Sequence, residues 1–237
     1  MHYIKEVNLP SIPYEDYPFN IPAIKHLKDA GGISFEKPVT IFVGENGAGK
    51  STLIEAIAVA MGFNAEGGSR EFYFDTCDTH SNLHEYIKIV KFLHPRDGFF
   101  LRAESFYNTA SYLEENSLLK RYGYVSLHKQ SHGESFLALV RNRFEGNGLY
   151  ILDEPEAALS PQRLLSLLVA IDDVVKKNSQ FIIATHSPII MAYPNADILQ
   201  FTDAGIEKVL YRETEHYKFM KQFMDAPEQM MKYLFNT

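Results

Sequence analysis

The sequence lacks the features of an exported or membrane-spanning protein. It contains a single cysteine, Cys77, so no internal disulfide can form, and a reducing cytoplasm is the simplest expected location. Its longest apolar runs are far shorter than the roughly 18 residues that a membrane-spanning helix needs. The first ten residues, MHYIKEVNLP, carry charges where a secretory signal would need an apolar core.

Positive charge is also scarce, since 23 Lys and Arg residues face 30 Asp and Glu residues and the net charge is −7. This balance argues against a broad nucleic-acid-binding surface, although a local basic patch is compatible with it. No repeat, heptad pattern or low-complexity tract is present. With 46 % hydrophobic and 22 % charged residues, the composition predicts a soluble globular protein. The length of 237 residues suits one α/β domain, or a domain with a small subdomain.

Short apolar runs alternate with helical patterns along most of the chain. We predict strands over 38–44, 98–106, 149–153, 180–186, 197–201 and 208–212. We predict helices over 51–61, about 109–121, from about 134, from 161 to 177, and over 216–235 with an interruption near Pro227. Residues 1–35 are rich in Pro and Tyr and predict extended, irregular or edge-strand structure. The alternation indicates a mostly parallel sheet with helices on both faces.

A phosphate-binding motif follows the strand predicted over 38–44. GENGAGKS, Gly44 to Ser51, matches G-x-x-x-x-G-K-[ST] between a strand and a helix. Its glycines allow backbone N–H groups to surround an anion, and the helix start adds partial positive charge. Lys50 is expected to reach the β- and γ-phosphates of ATP, and Ser51 to bind Mg²⁺. The predicted nucleotide contacts are Gly44, Glu45, Asn46, Gly47, Ala48, Gly49, Lys50, Ser51 and Thr52.

A second motif, YILDEPE, ends the buried strand predicted over 149–153 with two adjacent carboxylates. Ligands of parallel α/β sheets bind at the carboxyl ends of the strands, so both groups belong beside the phosphate loop. Asp153 is expected to hold Mg²⁺, directly or through water. Glu154 is then placed to accept a proton from the attacking water, and the pair predicts ATP hydrolysis.

Together, GENGAGKST and LYILDEPE resemble the ATP-binding-cassette (ABC) class of P-loop ATPases, over roughly residues 38–190. GENGAGKSTLIEAIA is most similar to the soluble branch that contains the SMC and RecF-like ATPase heads. The resemblance implies a P-loop NTPase fold with a small antiparallel β region. It implies a single domain over residues 1–237, with a short helical subdomain over about 63–147. It also implies an ATP-dependent homodimer that sandwiches two ATP molecules head to tail.

The resemblance carries over to further residues. Ser131, Gly133 and Glu134 lie 22 to 19 residues before Asp153, where the family's signature loop completes the partner's ATP site. Glu134 would have to point away from the phosphate or hold a cation or an arginine. His186, in ATHSP, stands where the family has a switch histidine that contacts the γ-phosphate. Ser160 stands where transporters typically carry an aspartate.

Other family positions are not matched by an obvious residue. The glutamine that senses Mg²⁺ and the γ-phosphate is replaced by Glu104 or Ser105 in the strand predicted over 98–106. The aromatic residue that contacts adenine could be Tyr14, Tyr17 or Phe19. His80 and His84 could share a helix face and hold a metal, although Asp, Ser and Asn residues around them favour a solvated loop.

Further residues outside these motifs have two interpretations each. Arg70, Arg96 and Arg102 could line the nucleotide site or a partner surface, and ordinary surface arginines are the simpler interpretation. We expect the tail methionines to pack one face of the last helix on the core, with a partner groove as the alternative. These methionines are Met220, Met224, Met230 and Met231.

Three functions are compatible with these motifs. The first is a soluble ATPase whose dimerisation remodels or signals to a macromolecule, with DNA maintenance or defence as candidate settings. The second is the nucleotide-binding subunit of an ABC membrane transporter, and the third is an ATP sensor with little turnover. The absent glutamine and the 81 residues between Lys50 and Ser131 favour the first over the second. Glu154, as a base, argues against the third.

Overall fold

The computed structural model describes residues 3–70, 81–103 and 132–235. The strands are β1 (Ile4–Asn8), β2 (Ile33–Ser34), β3 (Val39–Gly44), β4 (Lys88–Lys91), β5 (Asp97–Arg102), β6 (Gly148–Asp153), β7 (Gln180–Ala184), β8 (Ala196–Thr202) and β9 (Gly205–Val209). The helices are α1 (Pro22–Asp29), α2 (Lys50–Ala60), α3 (His132–Arg143), α4 (Pro161–Val175), α5 (Pro188–Met191), α6 (Glu215–Asp225) and α7 (Pro227–Phe235).

The central sheet has six strands in the order β5-β6-β7-β3-β8-β9. Strands β5 to β8 are parallel along this order, and β9 returns antiparallel to β8. A separate antiparallel sheet has the order β2-β1-β4. This mixed architecture confirms the predicted fold class, that of a P-loop NTPase with a small antiparallel region.

Apolar residues fill both faces of the central sheet. Side chains alternate along a strand, so Phe99 and Leu101 of β5 pack on one face and Phe100 on the other. The first face is covered by α3 and α4, and the second by α1, α2 and the small sheet. Because both faces are covered, the inner strands are mostly apolar. The acidic pair after β6 and the phosphate loop after β3 lie at the carboxyl ends of their strands. That edge carries the site described below.

Strands β1 and β2 confirm the extended part of the prediction for residues 1–35, but the prediction missed a helix. This segment contains α1, which starts with Pro22 and buries Ala23, Ile24 and Leu27 against the core. Proline suits the first helical position because it has no N–H to leave without a partner. The helix is only eight residues long, and the surrounding Pro and Tyr residues conceal its apolar spacing.

The ends of two other predicted elements also differ. Helix α4 begins at Pro161, as predicted, but it ends at Val175 rather than at 177. Ser160 immediately before it is extended, and its side chain makes no capping hydrogen bond. The last strand, β9, ends at Val209 rather than at 212, because Tyr211–Glu213 form a short 3₁₀ turn.

The prediction that the tail methionines pack on the core is wrong. Neither α6 nor α7 has a buried residue, although both helices carry apolar side chains. Met220 is 43 % exposed and Met224 is 71 % exposed. Periodicity correctly identified an apolar helix face, but it could not show what covers that face.

Within the described ranges, no helix is long and apolar enough to cross a bilayer. In the same ranges no three His, Cys, Asp or Glu residues are grouped as a metal cluster. His80 of the proposed His80/His84 pair lies outside the described residues. His84 forms part of a 3₁₀ turn, where its Nδ1 lies 3.1 Å from the carbonyl oxygen of Ser81.

Candidate active site

The phosphate loop joins β3 to α2, and two of its glycines are required by close contacts. Gly44 has φ 144°, and a Cβ there would lie 2.5 Å from the carbonyl oxygen of Phe201. Gly49 has φ 96°, and a Cβ there would lie 2.8 Å from Cγ2 of Ile21, just before α1. Any side chain at either position would therefore push the loop away from its supports.

Lys50, the first residue of α2, is almost completely buried beneath this loop, with 4 % exposure. Its Nζ donates hydrogen bonds to the carbonyl oxygens of Gly44 at 2.8 Å and Glu45 at 2.9 Å. Burial lowers the pKa of Lys50, although Glu154, Asp153 and Glu156 act to raise it. The loop thus keeps the Lys50 ammonium group beneath the position that phosphate oxygens would occupy.

Asp153, at the end of β6, forms the acidic part of the site. Its Oδ1 accepts a hydrogen bond from Ser51 Oγ at 3.1 Å. Beside this pair lies a cavity of about 70 Å³, lined by Ser51, Arg102, Ala103, Asp153 and Glu154. A hydroxyl and carboxylates are the hard oxygen ligands that Mg²⁺ prefers, so the donor set and the space fit this ion.

Glu154 follows Asp153 in a left-handed conformation, with φ 51°. Non-glycine residues seldom adopt this conformation, and when they do they are often found at functional sites. Its backbone N–H donates to Ala184 at the end of β7 at 2.9 Å. Its Oε1 lies 3.6 Å from Nε2 of His186, which follows the same strand. Two neighbouring strand ends therefore bring a carboxylate and an imidazole together beside the phosphate loop.

Comparison with known proteins agrees with this geometry. The model of the AAA-domain family matches residues 21–143, which is more than half of the chain. The chain belongs to this family. A second AAA-domain model matches residues 119–192.

The curated relatives are ATP-binding proteins of transport systems. The nisin transport ATP-binding protein NisT of Lactococcus lactis is 28 % identical over 95 % of this chain and 42 % of its own length. The ribose import ATP-binding protein RbsA of Halalkalibacterium halodurans is 24 % identical over 68 % of this chain and 36 % of its own length. The chain thus spans less than half the length of either relative.

The solved structure of cbiO1 from Clostridium perfringens, part of the ABC transporter complex cbiONQ, shares the fold. Its TM-score is 0.50 at 17 % identity, with 100 % of both chains covered. The chain is therefore a P-loop ATPase by family, and the names of these relatives agree with the ABC-type resemblance of its motifs.

Three residues of this ATPase reach the site although the sequence assigned them no clear role. The first is Arg102, the last residue of β5, whose Nε lies 3.5 Å from Asp153 Oδ2. Its Nη1 also pairs with Oε2 of Glu55 in α2 at 2.6 Å. Of the interpretations given for Arg102, the contact with Asp153 favours a place in the predicted nucleotide site over an ordinary surface position.

The second is Glu156, which lies in YILDEPE but follows the two carboxylates with predicted roles. Its Oε1 accepts a hydrogen bond from the backbone N–H of His186 at 2.5 Å. Burial raises the pKa of Glu156, while the His186 N–H acts to lower it. This carboxyl therefore links the turn after β6 to the residue that follows β7.

The third is His216, in the first turn of α6, whose Nε2 lies 3.0 Å from Nδ1 of His186. Burial and the positive charge of Lys50 lower the pKa of both imidazoles. The two histidines are 30 residues apart in sequence, so no local sequence motif predicts their contact.

The proposed signature loop is described from the start of α3, so Ser131 lies outside the described residues. Gly133 packs closely, and a Cβ there would lie 2.6 Å from Arg163 Nη1 and 3.0 Å from the carbonyl oxygen of Ala158. Glu134 Oε1 lies 3.0 Å from Arg163 Nη2. Glu134 thus holds an arginine, one of the arrangements that the sequence required of it.

A larger cavity, of about 390 Å³, opens beside the phosphate loop. It is lined by Pro22, Glu45, Asn46, Gly47, Ala48, Phe201, Thr202, Asp203 and Glu215. None of the three candidate adenine contacts lines it. Phe19 is fully buried, Tyr14 packs edge-on against Phe19 and donates to Asn82, and Tyr17 is 57 % exposed. The buried ring of Phe19 therefore cannot stack on an adenine.

Glu104 and Ser105, the candidates for the missing glutamine, lie outside the described residues.

Proposed function

We propose that this ATPase works as a head-to-tail homodimer that binds two ATP molecules with Mg²⁺ at its interface and couples hydrolysis to a macromolecular partner. The observation that carries the proposal is the meeting of Glu154 and His186, 3.6 Å apart, next to the buried Lys50. A γ-phosphate above Lys50 would have a hydrogen-bond donor and a proton acceptor on the same side.

Each residue of the site has a proposed task. Residues Gly44 to Thr52 bind the phosphates, with Lys50 turning from the carbonyl oxygens of Gly44 and Glu45 to the β- and γ-phosphates. Ser51 and Asp153 hold Mg²⁺, which would supply positive charge to the phosphate oxygens. Glu154 takes the proton of the attacking water, and His186 donates a hydrogen bond to the γ-phosphate.

The second half of each site is proposed to come from the partner. Ser131, Gly133 and Glu134 would present the start of α3 to the partner's γ-phosphate, where the helix dipole favours an anion. We further propose that residues 1–237 act as one ABC-type domain. Both proposals rest on the family resemblance and on the close packing of Gly133 against Ala158.

Glu154→Gln tests the whole arrangement. The amide keeps the size of the side chain but cannot accept the proton, so we expect ATP to bind while turnover falls about 100-fold or more. Sizing chromatography with ATP and Mg²⁺ should then show a stable dimer. Lys50→Ala is the matched control, which should bind ATP poorly and stay monomeric. A Glu154→Gln protein that binds ATP but remains monomeric would refute the sandwich.

The biological setting has two candidates. A stand-alone role in the cytoplasm, with DNA maintenance or defence as the setting, is supported by the second AAA-domain model. Its description names the AbiEii toxin of a type IV toxin–antitoxin system. A role as the nucleotide-binding subunit of a transporter is favoured by the names of NisT and RbsA.

Two measurements separate these settings. ATPase stimulation by DNA that weakens steeply with added salt would support a DNA partner, because phosphate contacts release counterions. Co-purification with membranes from cells that express the protein at its natural level would support the transporter.

A further inference from the structure

The contact between His186 and His216 adds a group to the site that the proposed mechanism has not used. The Nδ1 of His186 and the Nε2 of His216 are 3.0 Å apart, and the ring centroids are 5.1 Å apart. The other nitrogen of His186, Nε2, faces Glu154 and makes no hydrogen bond within the described part of the chain.

The chemistry of imidazole limits what this contact can be. A neutral imidazole carries one proton, so one ring nitrogen donates and the other accepts. If His186 donated from Nδ1, its Nε2 would present a lone pair to the Glu154 carboxylate or to a phosphate oxygen, and the contact would be repulsive. If His216 donates from Nε2, the Nδ1 of His186 accepts and its proton lies on Nε2, facing the anion.

The start of α6 is anchored firmly enough for this purpose. Thr214 is fully buried, and its Oγ1 accepts from the N–H of Tyr217 at 3.2 Å as a helix cap. Gln200 of β8 accepts from the N–H of Glu215 at 3.4 Å. The Tyr211 and Tyr217 rings pack edge to face, with centroids 4.8 Å apart. These contacts hold His216 in place although most of α6 is exposed.

We propose that His216 is a positioning residue for ATP hydrolysis, which donates a hydrogen bond from its Nε2 to Nδ1 of His186. This bond fixes the orientation of the His186 ring and keeps the His186 proton on Nε2. His186 needs this tautomer in order to donate to the γ-phosphate. The catalytic consequence rests on the proposed function of His186. The tautomer itself depends only on the two imidazoles and can be observed without nucleotide.

The charges around the pair agree with two neutral rings. Lys50 lies on one side, Glu154 and Glu156 follow β6, Glu45 belongs to the phosphate loop, and Glu215 precedes His216 on α6. Burial and Lys50 lower the pKa of both imidazoles, and for His186 this outweighs the opposite effect of Glu154. Two neutral rings can form the N–H···N hydrogen bond described above. Two imidazolium rings could not, because both would present N–H donors to each other.

Kinetics of three variants test the catalytic consequence. His216→Ala should lower kcat about tenfold, the rate equivalent of one hydrogen bond, with KM for ATP nearly unchanged. His216→Gln should recover most of kcat, because its amide N–H lies near the former Nε2. Lys218→Ala, on the exposed side of the same helix, is the control and should behave as the parent protein.

The pH profile distinguishes positioning from a general loss of structure. Because burial and Lys50 lower the pKa of His186, its imidazole gains the second proton only as the pH falls below the ordinary histidine value of about 6.5. An imidazolium at position 186 donates from Nε2 whatever its neighbour does, so the deficit of His216→Ala should shrink toward the acidic end. A deficit that is constant with pH, or that His216→Gln does not relieve, would refute the proposal.

Nitrogen-15 NMR of the histidine rings in the nucleotide-free protein reads the tautomer directly. Near pH 8 we expect an Nε2–H signature for His186 in the parent protein and in His216→Gln, and a mixture of tautomers in His216→Ala. An Nδ1–H signature for His186 in the parent protein would overturn the proposal.

His186→Ala separates the two levels of the argument. If this variant hydrolyses ATP normally, the proposed function of His186 fails even if the NMR signature is as expected. If it loses activity while His216→Ala keeps full activity, only the role of His216 fails.

Discussion

Arg102 places a guanidinium beside the carboxylate proposed to hold Mg²⁺. It contacts both Asp153 and Glu55, and Glu55 is only 8 % exposed. Glu55 also accepts from the N–H of Ser81 at 3.3 Å, so one carboxylate joins α2, β5 and the chain before β4. A buried carboxylate is tolerated when it is paired and hydrogen-bonded, and it becomes costly when its cation is removed.

We therefore expect Arg102→Met to lower the free energy of unfolding by about 2 kcal/mol, since Glu55 would lose its ion pair in a mostly buried place. Urea denaturation measures this change. Arg96→Met, at an exposed position immediately before β5, should change stability by less than about 0.5 kcal/mol. Adding Glu55→Gln to Arg102→Met should recover part of the loss, and an Arg102→Met protein of parental stability would contradict the argument.

At the scale of elements, the start of α3 is tied to α4 by the Glu134–Arg163 pair. The side chains are 56 % and 34 % exposed, so the pair contributes little to stability. Its proposed importance is electrostatic, because Glu134 belongs to the loop offered to the partner's γ-phosphate. Arg163 offsets a negative charge where another negative charge is to bind.

Arg163→Ala should accordingly slow ATP turnover about fivefold, from an added repulsion of about 1 kcal/mol, while the free energy of unfolding changes by less than that. Steady-state ATPase assays at low salt measure the effect. Adding Glu134→Gln in the same protein removes the repelling charge and should restore turnover. If the double variant is as slow as Arg163→Ala, the charge argument is wrong.

For the whole molecule, the two histidines couple the folded state to pH. Both have a pKa lowered from its ordinary value, so the unfolded chain binds more protons than the folded protein as the solution is acidified. Their effect is to lower stability as pH falls through the ordinary histidine range. Glu156 acts in the opposite sense, because its raised pKa makes the folded protein the better proton binder and its contribution fades as pH rises.

A comparison with His216→Gln isolates the histidine contribution. We expect the free energy of unfolding of the parent protein to fall between about pH 7 and about pH 5, and that of His216→Gln to fall less. Urea denaturation at several pH values gives both slopes, and Glu156 is common to both proteins. Parallel slopes would show that His216 titrates alike in the folded and unfolded chains.

The central parts of this fold could be predicted from sequence because their signals are local. The strand and helix around GENGAGKS and the strand before Asp153 were correctly placed, since continuous apolar runs and a strict motif mark them. Helix α1 was missed because it is only eight residues long and lies among prolines, so the helical spacing of its apolar residues is hard to detect. Arg102 and His216 had no assigned role, because their partners lie 47 and 30 residues away and only the folded sheet brings them together.

Helices α6 and α7 bury no side chain, and within the described residues the hydrogen bonds that anchor the start of α6 belong to its first turn. Helices with so few supporting contacts fray readily, and their amide protons exchange with solvent through brief local openings. Fraying that starts at the C-terminal end of α6 must cross about two and a half turns before it reaches His216, because nine of the 11 residues of α6 follow this histidine. The imidazole of His216 can therefore keep its place beside His186 while the later turns of α6 and α7 are locally unfolded.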